Sequence, residues 1–204
     1  MSHEDLTIPE PSGIDIPEPF ASFLEDADER IREFFARHPD RPIGGFVPSD
    51  YPSVYSTLAG LIELGFDPGI FCEWGSGYGV ITGIASLLGH DAHGVELDPE
   101  LVEYARDLLD DHDLSVEIHQ GSYVPDGYDE TVSMTDEGIL SVIPGASAYD
   151  DMDLRIEDFD TIFVFPWPGT EPMHYELFDR YASPGTILVT HHGEDGTRVR
   201  RKLR

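Results

Sequence analysis

The stretch Ile70–Glu96 of the sequence reads IFCEWGSGYGVITGIASLLGHDAHGVE. A short apolar run reaches the acid Glu73. Three alternate glycines follow it: Gly75, Gly77 and Gly79. A helical pattern comes next, and then a second strand pattern that closes on the acid ending the stretch. A strand, a glycine turn, a helix, a strand and an acid, in this order, are typical of a nucleotide-binding βαβ unit.

The spacing of the glycines indicates which ligand the turn accepts. Glycine lets the backbone adopt left-handed conformations and lets a ligand approach where a Cβ atom would otherwise stand. The free N–H groups of the helix that begins near Gly79 suit a polar or anionic ligand. A dinucleotide site reads G-x-G-x-x-G, whereas here Val80 takes the place of the third glycine. The Glu73 carboxylate would be unfavourable beside a pyrophosphate and favourable beside a cationic ligand. Glu96 ends the second strand, where an acid can bind both hydroxyls of a ribose.

These residues resemble two motifs of the class I S-adenosylmethionine-dependent methyltransferases. The segment 73–79, EWGSGYG, matches an acid followed by G-x-G-x-G, and the segment 94–98, GVELD, matches the acid after the second strand. The resemblance covers roughly residues 50 to 193. It implies an α/β protein with a three-layer αβα Rossmann-like methyltransferase fold, a mostly parallel sheet and an N-terminal helical extension. It also implies S-adenosyl-L-methionine as the cofactor. The alternative is a tight turn in some other α/β protein.

The resemblance implies a role for residues along the carboxyl edge of the sheet. Glu73 would neighbour the methionine ammonium, directly or through water, and Glu96 would bind the ribose hydroxyls. Leu97 would line the adenine pocket. The family often carries an acid for the adenine amino group after the third strand, and here Gly121 and Ser122 hold that place. The cofactor-binding residues expected in this way are Glu73, Gly75, Ser76, Gly77, Gly79, Glu96, Leu97, Gly121, Ser122, Phe165 and Pro166.

The methyl acceptor is expected beside the fourth strand. Residues 160–165 read as that strand, and ligands in open α/β sheets lie outside the carboxyl ends of the strands. Phe165 stands where methyltransferases that act on planar amines place a polar group, which argues against that branch. Trp167 offers either a flat face for an aromatic or cationic substrate or a packed side chain on a proline turn. A small molecule and a protein side chain both remain as acceptor classes.

No sequence signature identifies a catalytic residue. If the acceptor must lose a proton, Glu171, His174 and His191 are the candidate bases. His191 and His192 are strand neighbours that point to opposite faces, and no metal-ligand spacing is recognised, so no metal is expected. Two other classes of function remain. The first is an NAD(P)-dependent oxidoreductase, which the glycine spacing disfavours. The second is a non-catalytic S-adenosylmethionine-binding or interaction module.

The chain is interpreted as three regions. Residues 1–18 are an extended or disordered acidic arm, residues 19–66 hold N-terminal helices, and residues 67–204 form the Rossmann-like cofactor-binding core. The first helix has a large apolar face that should pack on the main domain or form a homodimer contact. Tyr51 and Tyr55 of the second helix face either the methyl group or the sheet. Residues 197–204 could add one strand, whereas the family usually finishes with two.

The charge of the chain limits its partners. The sequence has 41 acids against 12 lysines and arginines, a net charge of −29, and five of the basic residues lie among its last seven. Such a chain should repel nucleic acid and anionic membranes, so a nucleic-acid partner is unlikely, and the basic tail should pair with the acidic surface. One lysine beside eleven arginines, with abundant acids, looks like adaptation to high salt.

Composition also predicts the compartment. There is no apolar run near eighteen residues and no secretory pattern at the N-terminus. The single cysteine, Cys72, excludes an intramolecular disulfide and reads as a small buried residue. The sequence therefore predicts a cytoplasmic protein without a membrane span.

Overall fold

The computed structural model of the protein describes residues 3–8, 16–39, 46–128 and 146–204. Its strands are β1 (His3–Leu6), β2 (Ile70–Trp74), β3 (Asp91–Glu96), β4 (Val116–Gln120), β5 (Thr161–Val164), β6 (Ile187–His191) and β7 (Thr197–Lys202). Its helices are α1 (Phe20–Arg37), α2 (Tyr51–Glu63), α3 (Val80–Leu87), α4 (Pro99–Asp111), α5 (Tyr149–Met152) and α6 (Glu171–Tyr181). Short 3-10 turns lie at Ile156–Asp158 and Gly193–Asp195.

The seven strands form one sheet in the order β1-β7-β6-β5-β2-β3-β4. Strands β2 to β6 run parallel to one another, and β7 runs antiparallel to β6. The chain builds outward from β2 through β3 to β4 and then returns to place β5 on the other side of β2. This reversal leaves a crevice at the carboxyl ends of β2 and β5, where ligands of open α/β sheets bind. The mostly parallel α/β fold expected from the sequence is confirmed.

The N-terminal segment forms the edge of the sheet beyond β7. His3 pairs with Lys202 and Leu6 pairs with Val199 in an antiparallel ladder. Residues 3–6 thus lie within the segment interpreted as an acidic arm, but they are a paired strand of the sheet. The sequence offers only one strand after β6, and β1 supplies the second. The Nε of Arg200 also donates to Asp5 at 3.0 Å, so part of the basic tail does pair with acidic residues.

Helices cover both faces of the sheet. The first face carries α1 to α4 and a core that includes Phe71 and Phe163, while the second carries α5 and α6 over Cys72 and Trp74. The apolar side of α1 lies inside the first core, because the ring of Phe23 fills the space beside the helix α3. Of the two arrangements expected for this helix, the structure shows packing on the main domain.

The second helix begins where its sequence predicts. The Oδ1 of Asp50 accepts a hydrogen bond from the backbone N–H of Ser53 at 3.3 Å. Tyr51 is buried in the core, and the ring of Tyr55 lies 4.8 Å from that of Phe20. The two tyrosines therefore pack, and neither observation places them against a methyl group.

Residues 125–158 are described only at their ends. A helix that the sequence permits over residues 134–143 lies outside the described residues. Within 151–157, the structure has the last residues of α5 and the start of a 3-10 turn rather than one helix. None of the helices in the described ranges has both the length and the apolar character needed to cross a membrane.

Candidate functional site

The glycine turn is anchored on the neighbouring strand. The backbone N–H groups of Gly75 and Ser76 both donate to the carbonyl oxygen of Val95, each at 2.9 Å. Gly75, Gly77 and Gly79 all have positive φ angles of 76°, 52° and 69°, which side-chain-bearing residues rarely adopt. The turn thus reverses the chain tightly at the end of β2 and delivers it into α3.

The surface of the turn is open at Gly75 and covered at Gly77. A Cβ atom added to Gly75 would meet nothing within 4 Å, and the residue is exposed to solvent. A Cβ atom on Gly77 would instead lie 2.5 Å from a ring atom of Phe46. A ligand can therefore approach the backbone at Gly75, whereas the ring of Phe46 covers the backbone at Gly77.

Glu73 lies buried beneath the turn and faces α3. Its Oε2 accepts hydrogen bonds from the backbone N–H of Thr82 at 2.8 Å and from the Thr82 hydroxyl at 2.6 Å. Because the N-cap residue Gly79 has no side chain, Glu73 supplies the acceptor that the first turn of α3 needs. Burial, with a smaller contribution from the nearby charge of Glu96, raises the pKa of Glu73 to about 8 despite the Thr82 hydrogen bonds. A cation at this site would stabilise the ionised form.

Glu96 organises the loop that follows β3. Its Oε2 accepts from the backbone N–H of Gly77 at 2.8 Å. Its Oε1 accepts from the N–H groups of Leu97 and Asp98, at 2.8 and 2.9 Å. A carboxylate oxygen can accept two hydrogen bonds, so Oε2 retains capacity for a hydroxyl donor. Leu97, which follows Glu96, is an exposed apolar side chain. An adenine pocket needs a lining residue of this kind.

The loop after β4 is less open than the sequence suggests. A Cβ atom on Gly121 would lie 2.9 Å from the carbonyl oxygen of Ala146. Ser122 is buried, it forms a parallel bridge with Ser147, and its Oγ accepts from the backbone N–H of Val124 at 3.1 Å. Residues 146–148 therefore cover this loop, and contact of Gly121 or Ser122 with adenine stays a prediction.

Phe165 and Pro166 continue β5 into the same edge of the sheet. Pro166 is buried, and the ring of Phe165 lies 5.0 Å from that of His191 at an angle of 76°. His191 is itself buried at the end of β6, where its Nε2 accepts from the backbone N–H of Asp50 at 3.4 Å. Its Nδ1 lies 3.3 Å from the hydroxyl of Thr197. Burial lowers the pKa of His191, so the ring is neutral near pH 7.

His174 lies on the other face of the sheet, in an aromatic cluster with Trp74 and Tyr123. Its Nδ1 donates to the carbonyl oxygen of Thr170 at 2.9 Å, and its Nε2 accepts from the hydroxyl of Tyr123 at 3.0 Å. The Tyr123 ring stacks on Trp74 with centroids 5.4 Å apart. Burial lowers the pKa of His174 to about 4. Both ring nitrogens are engaged, so a role as base would require the bond to Tyr123 to open.

Glu171 is tied to the turn that precedes its own helix. Its Oε2 accepts from the backbone N–H of Gly169 at 2.8 Å. Glu171 and His174 share α6, whereas His191 lies on the face of the sheet that carries α1 to α4. The structure does not bring the three candidate bases together into one catalytic group.

Two side chains of this site have no motif in the sequence. Phe46 comes from the loop before α2, and its position over Gly77 follows from the tertiary structure alone. Thr82 is one of two polar residues, with Ser86, in the mostly apolar segment VITGIASL, and its place in the buried first turn is a signal that its side chain has a specific partner. The hydroxyl of Ser76, which the sequence does predict at the site, is buried without a hydrogen-bond partner among the described residues.

Several solved structures with the same architecture are described as methyltransferases. One is an RNA methyltransferase from Salinibacter ruber in complex with S-adenosyl-L-homocysteine, at 22% identity over 77% of this chain and 94% of that chain, with a TM-score of 0.51. Another is an O-methyltransferase from Bacillus cereus in complex with SAH, at 18% identity over 86% and 67%, with a TM-score of 0.53. A third is a methyltransferase from Geobacter sulfurreducens, at 15% identity over 93% and 98%, with a TM-score of 0.54.

No protein-family model matches the chain, and no curated protein sequence matches it. The structural likeness establishes the fold, which is the Rossmann-like fold of the class I S-adenosylmethionine-dependent methyltransferases. The described residues also fit the cofactor that this fold implies. Gly75 leaves a cradle that a Cβ atom would fill, and two carboxylates, Glu73 and Glu96, lie close enough for one to raise the pKa of the other.

Proposed function

We propose that the protein is an S-adenosylmethionine-dependent methyltransferase that acts on a small molecule or on a protein side chain. One observation carries the proposal. Gly75 leaves open space at the end of β2, and the acids Glu73 and Glu96 lie on either side of Gly75, on the adjacent strands β2 and β3. A glycine-lined hollow with two acids, one of which can lose its proton when a cation binds, suits a ligand that carries both a cationic sulfur and a ribose.

When bound, S-adenosylmethionine supplies a methyl group on a positively charged sulfur. Glu73 would provide the negative charge that favours the methionine part, and Glu96 Oε2 would accept from a ribose hydroxyl. Gly75 would let the ligand lie against the backbone, and Leu97 would contribute apolar surface. These residues hold the reacting group in position, and positioning by itself can account for much of the acceleration of such a transfer.

The state of the candidate bases favours acceptors that need no buried base. Both nitrogens of His174 are hydrogen-bonded, and both nitrogens of His191 have polar neighbours. Glu171 is held by its own turn. An acceptor that is already nucleophilic at neutral pH, or that loses its proton to water, therefore fits better than one that relies on these side chains.

Isothermal titration calorimetry with S-adenosylmethionine, S-adenosylhomocysteine and NADH tests the proposal. We expect the first two to bind with one site per chain and NADH not to bind. Binding of NADH alone would favour the oxidoreductase. Binding of the sulfur ligands without turnover across a broad acceptor screen would favour the non-catalytic module.

Two glycines provide a matched pair of variants. Gly75 and Gly65 both have positive φ angles, 76° and 92°, and an added Cβ would meet nothing within 4 Å at either. Replacement by alanine imposes similar backbone strain at both positions. Gly75→Ala should weaken S-adenosylmethionine binding at least tenfold, because its methyl group occupies the cradle, whereas Gly65→Ala should bind normally. Equal binding by both variants would remove Gly75 from the site.

The proposal extends to partners and compartment. The net charge of −29 supports a small molecule or a protein over a nucleic acid as acceptor. A cytoplasmic location and adaptation to high salt belong to the same proposal and rest on composition. The homodimer through the first helix loses its support, because the apolar face of α1 packs within the chain.

A further inference from the structure

A cluster of two histidines and a glutamate lies on β3 and β4, away from the glycine turn. His93 of β3 is directly opposite Glu117 of β4, and His119 is two residues further along β4. Residues two apart on a strand point to the same face, so Glu117 and His119 project together beside His93. This is the face that carries α5 and α6, because Val95, two residues after His93, belongs to their core.

Two distances within the cluster are close to the separation between ligands of a metal ion. The Nδ1 of His93 and the Nε2 of His119 are 3.3 Å apart, and His119 Nε2 is 3.5 Å from Glu117 Oε2. Each of the three residues offers a ligand atom within 4.8 Å of the others. In tetrahedral coordination at about 2.0–2.1 Å, ligand atoms are separated by about 3.3–3.4 Å. An ion could therefore be accommodated with small side-chain adjustments.

The surroundings of His93 favour coordination over a simple histidine pair. Its Nε2 is buried and has no hydrogen-bond partner among the described residues, although Asp91 Oδ1 lies 3.6 Å away. If Nδ1 binds a metal, the ring proton must be on Nε2, where it points towards the Asp91 carboxylate. Metal-bound histidines commonly donate their second N–H to a carboxylate in this way. Without an ion, the two facing nitrogens can share one N–H···N hydrogen bond, but His93 Nε2 still has no hydrogen-bond partner among the described residues.

The ligand set indicates the kind of metal. Two imidazoles and one carboxylate suit Zn²⁺ and similar late first-row divalent ions, whereas Mg²⁺ and Ca²⁺ require oxygen ligands. The Glu117 side chain is 69% exposed, which leaves the ion accessible from solvent.

We propose that His93, Glu117 and His119 bind a zinc-like divalent cation that cross-links the edge strand β4 to β3. Among the described strands, β4 has a neighbour on one side only, so an ion held by both β3 and β4 would stabilise this edge of the sheet. This site is independent of the cofactor site, and it was missed from the sequence because its ligands meet only through the register of two strands.

The test uses untagged full-length protein treated with a chelator and then titrated with Zn²⁺, Co²⁺ or Mg²⁺ in a calorimeter. We expect one Zn²⁺ per chain, no Mg²⁺ binding, and a visible absorption typical of four-coordinate Co²⁺. Thermal unfolding should shift to higher temperature with Zn²⁺.

Three variants distinguish this site from adventitious binding. Glu117→Gln changes an exposed side chain that the fold does not depend on, and it should weaken Zn²⁺ binding at least tenfold. His119→Ala should abolish binding. The control is His112→Ala, because His112 also faces a carboxylate, with its Nε2 3.0 Å from Asp26 Oδ2, but it belongs to no group of three possible ligands among the described residues. Zn²⁺ binding of wild-type affinity in Glu117→Gln and His119→Ala, or no binding by the wild type, would overturn the proposal.

Discussion

The carboxylate of Glu73 accepts two hydrogen bonds from one residue, Thr82, through its backbone N–H and its hydroxyl. The acid of the glycine motif thus has a structural partner in the ligand-free protein, at the start of α3. Burial raises the pKa of Glu73 to about 8, so the carboxyl group is mostly protonated near pH 7. Its ionisation therefore depends on whether a cation is present, and two predictions rest on this dependence.

Cofactor binding should become tighter as the pH rises towards 8. Below that pH the free protein holds a proton on Glu73 that a cationic ligand must displace, so affinity should rise by up to about tenfold per pH unit. Calorimetry of S-adenosylmethionine binding at pH 6, 7 and 8 measures the effect, and two buffers of different ionisation enthalpy report the released proton. Glu73→Gln is the control, since the ligand also titrates. The same pH dependence in both proteins would contradict the prediction.

The stability of the ligand-free protein should depend on pH through the same group. The pKa of Glu73 in the folded state, about 8, lies above its unfolded value near 4.5, so between these values the folded state binds a proton that the unfolded state has lost. Its contribution is complete below pH 4.5 and is lost as the pH rises through 8. From pH 6 to 9, the unfolding free energy should fall by on the order of a few kcal/mol more than in Glu73→Gln. The prediction is wrong if urea denaturation shows that the unfolding free energies of the wild type and of Glu73→Gln change equally with pH.

The only lysine of the chain should be important for stability. Lys202 is buried, and its Nζ donates to the carbonyl oxygens of Phe178, Asp179 and Ala182 at the end of α6. Lys202→Met keeps the aliphatic stem but removes the hydrogen bonds from Nζ, which should cost about 1–3 kcal/mol in chemical denaturation. Arg204→Met, at an exposed basic position, is the control and should change little. An equal effect of the two substitutions would show that the carbonyl contacts are not needed.

High salt should stabilise the protein. The net charge of −29 causes self-repulsion in the folded state, and salt screens it, with a Debye length of about 3 Å at 1 M against about 10 Å at 0.1 M. The melting temperature should rise between 0.1 M and molar potassium chloride. Sucrose of equal osmolality serves as a control for effects other than screening. A melting temperature that stays constant or falls in salt would refute adaptation to a saline medium.

The centre of the fold is readable from the sequence because its signals are local. Apolar runs, positive-φ glycines and the Asp98-Pro99 cap define β2, α3, β3 and α4 without reference to other parts of the chain. The strand β1 has no such signal. Its four residues HEDL are mostly exposed, and it is held by backbone hydrogen bonds to β7. Because β1 is stabilised by a partner that is distant in the sequence, its own residues are typical of a disordered arm.

The candidate site is also predictable from the sequence only in part. The positions of Glu73, Glu96 and the glycines follow from the motif, whereas their partners do not. Nothing local indicates that residues 146–148 cover Ser122 or that Phe46 lies over Gly77. The cluster of His93, Glu117 and His119 depends on strand register, which a single sequence does not specify.

The pairing of His3–Leu6 with the strand Thr197–Lys202 has a consequence for biosynthesis. The first of these strands is synthesised before every other described strand, and its partner is synthesised after all of them. During translation the residues of β1 therefore stay without this partner until Thr197–Lys202 has left the ribosome. A nascent chain stalled before Thr197 would thus carry an unprotected β6 border, open to pairing with another molecule.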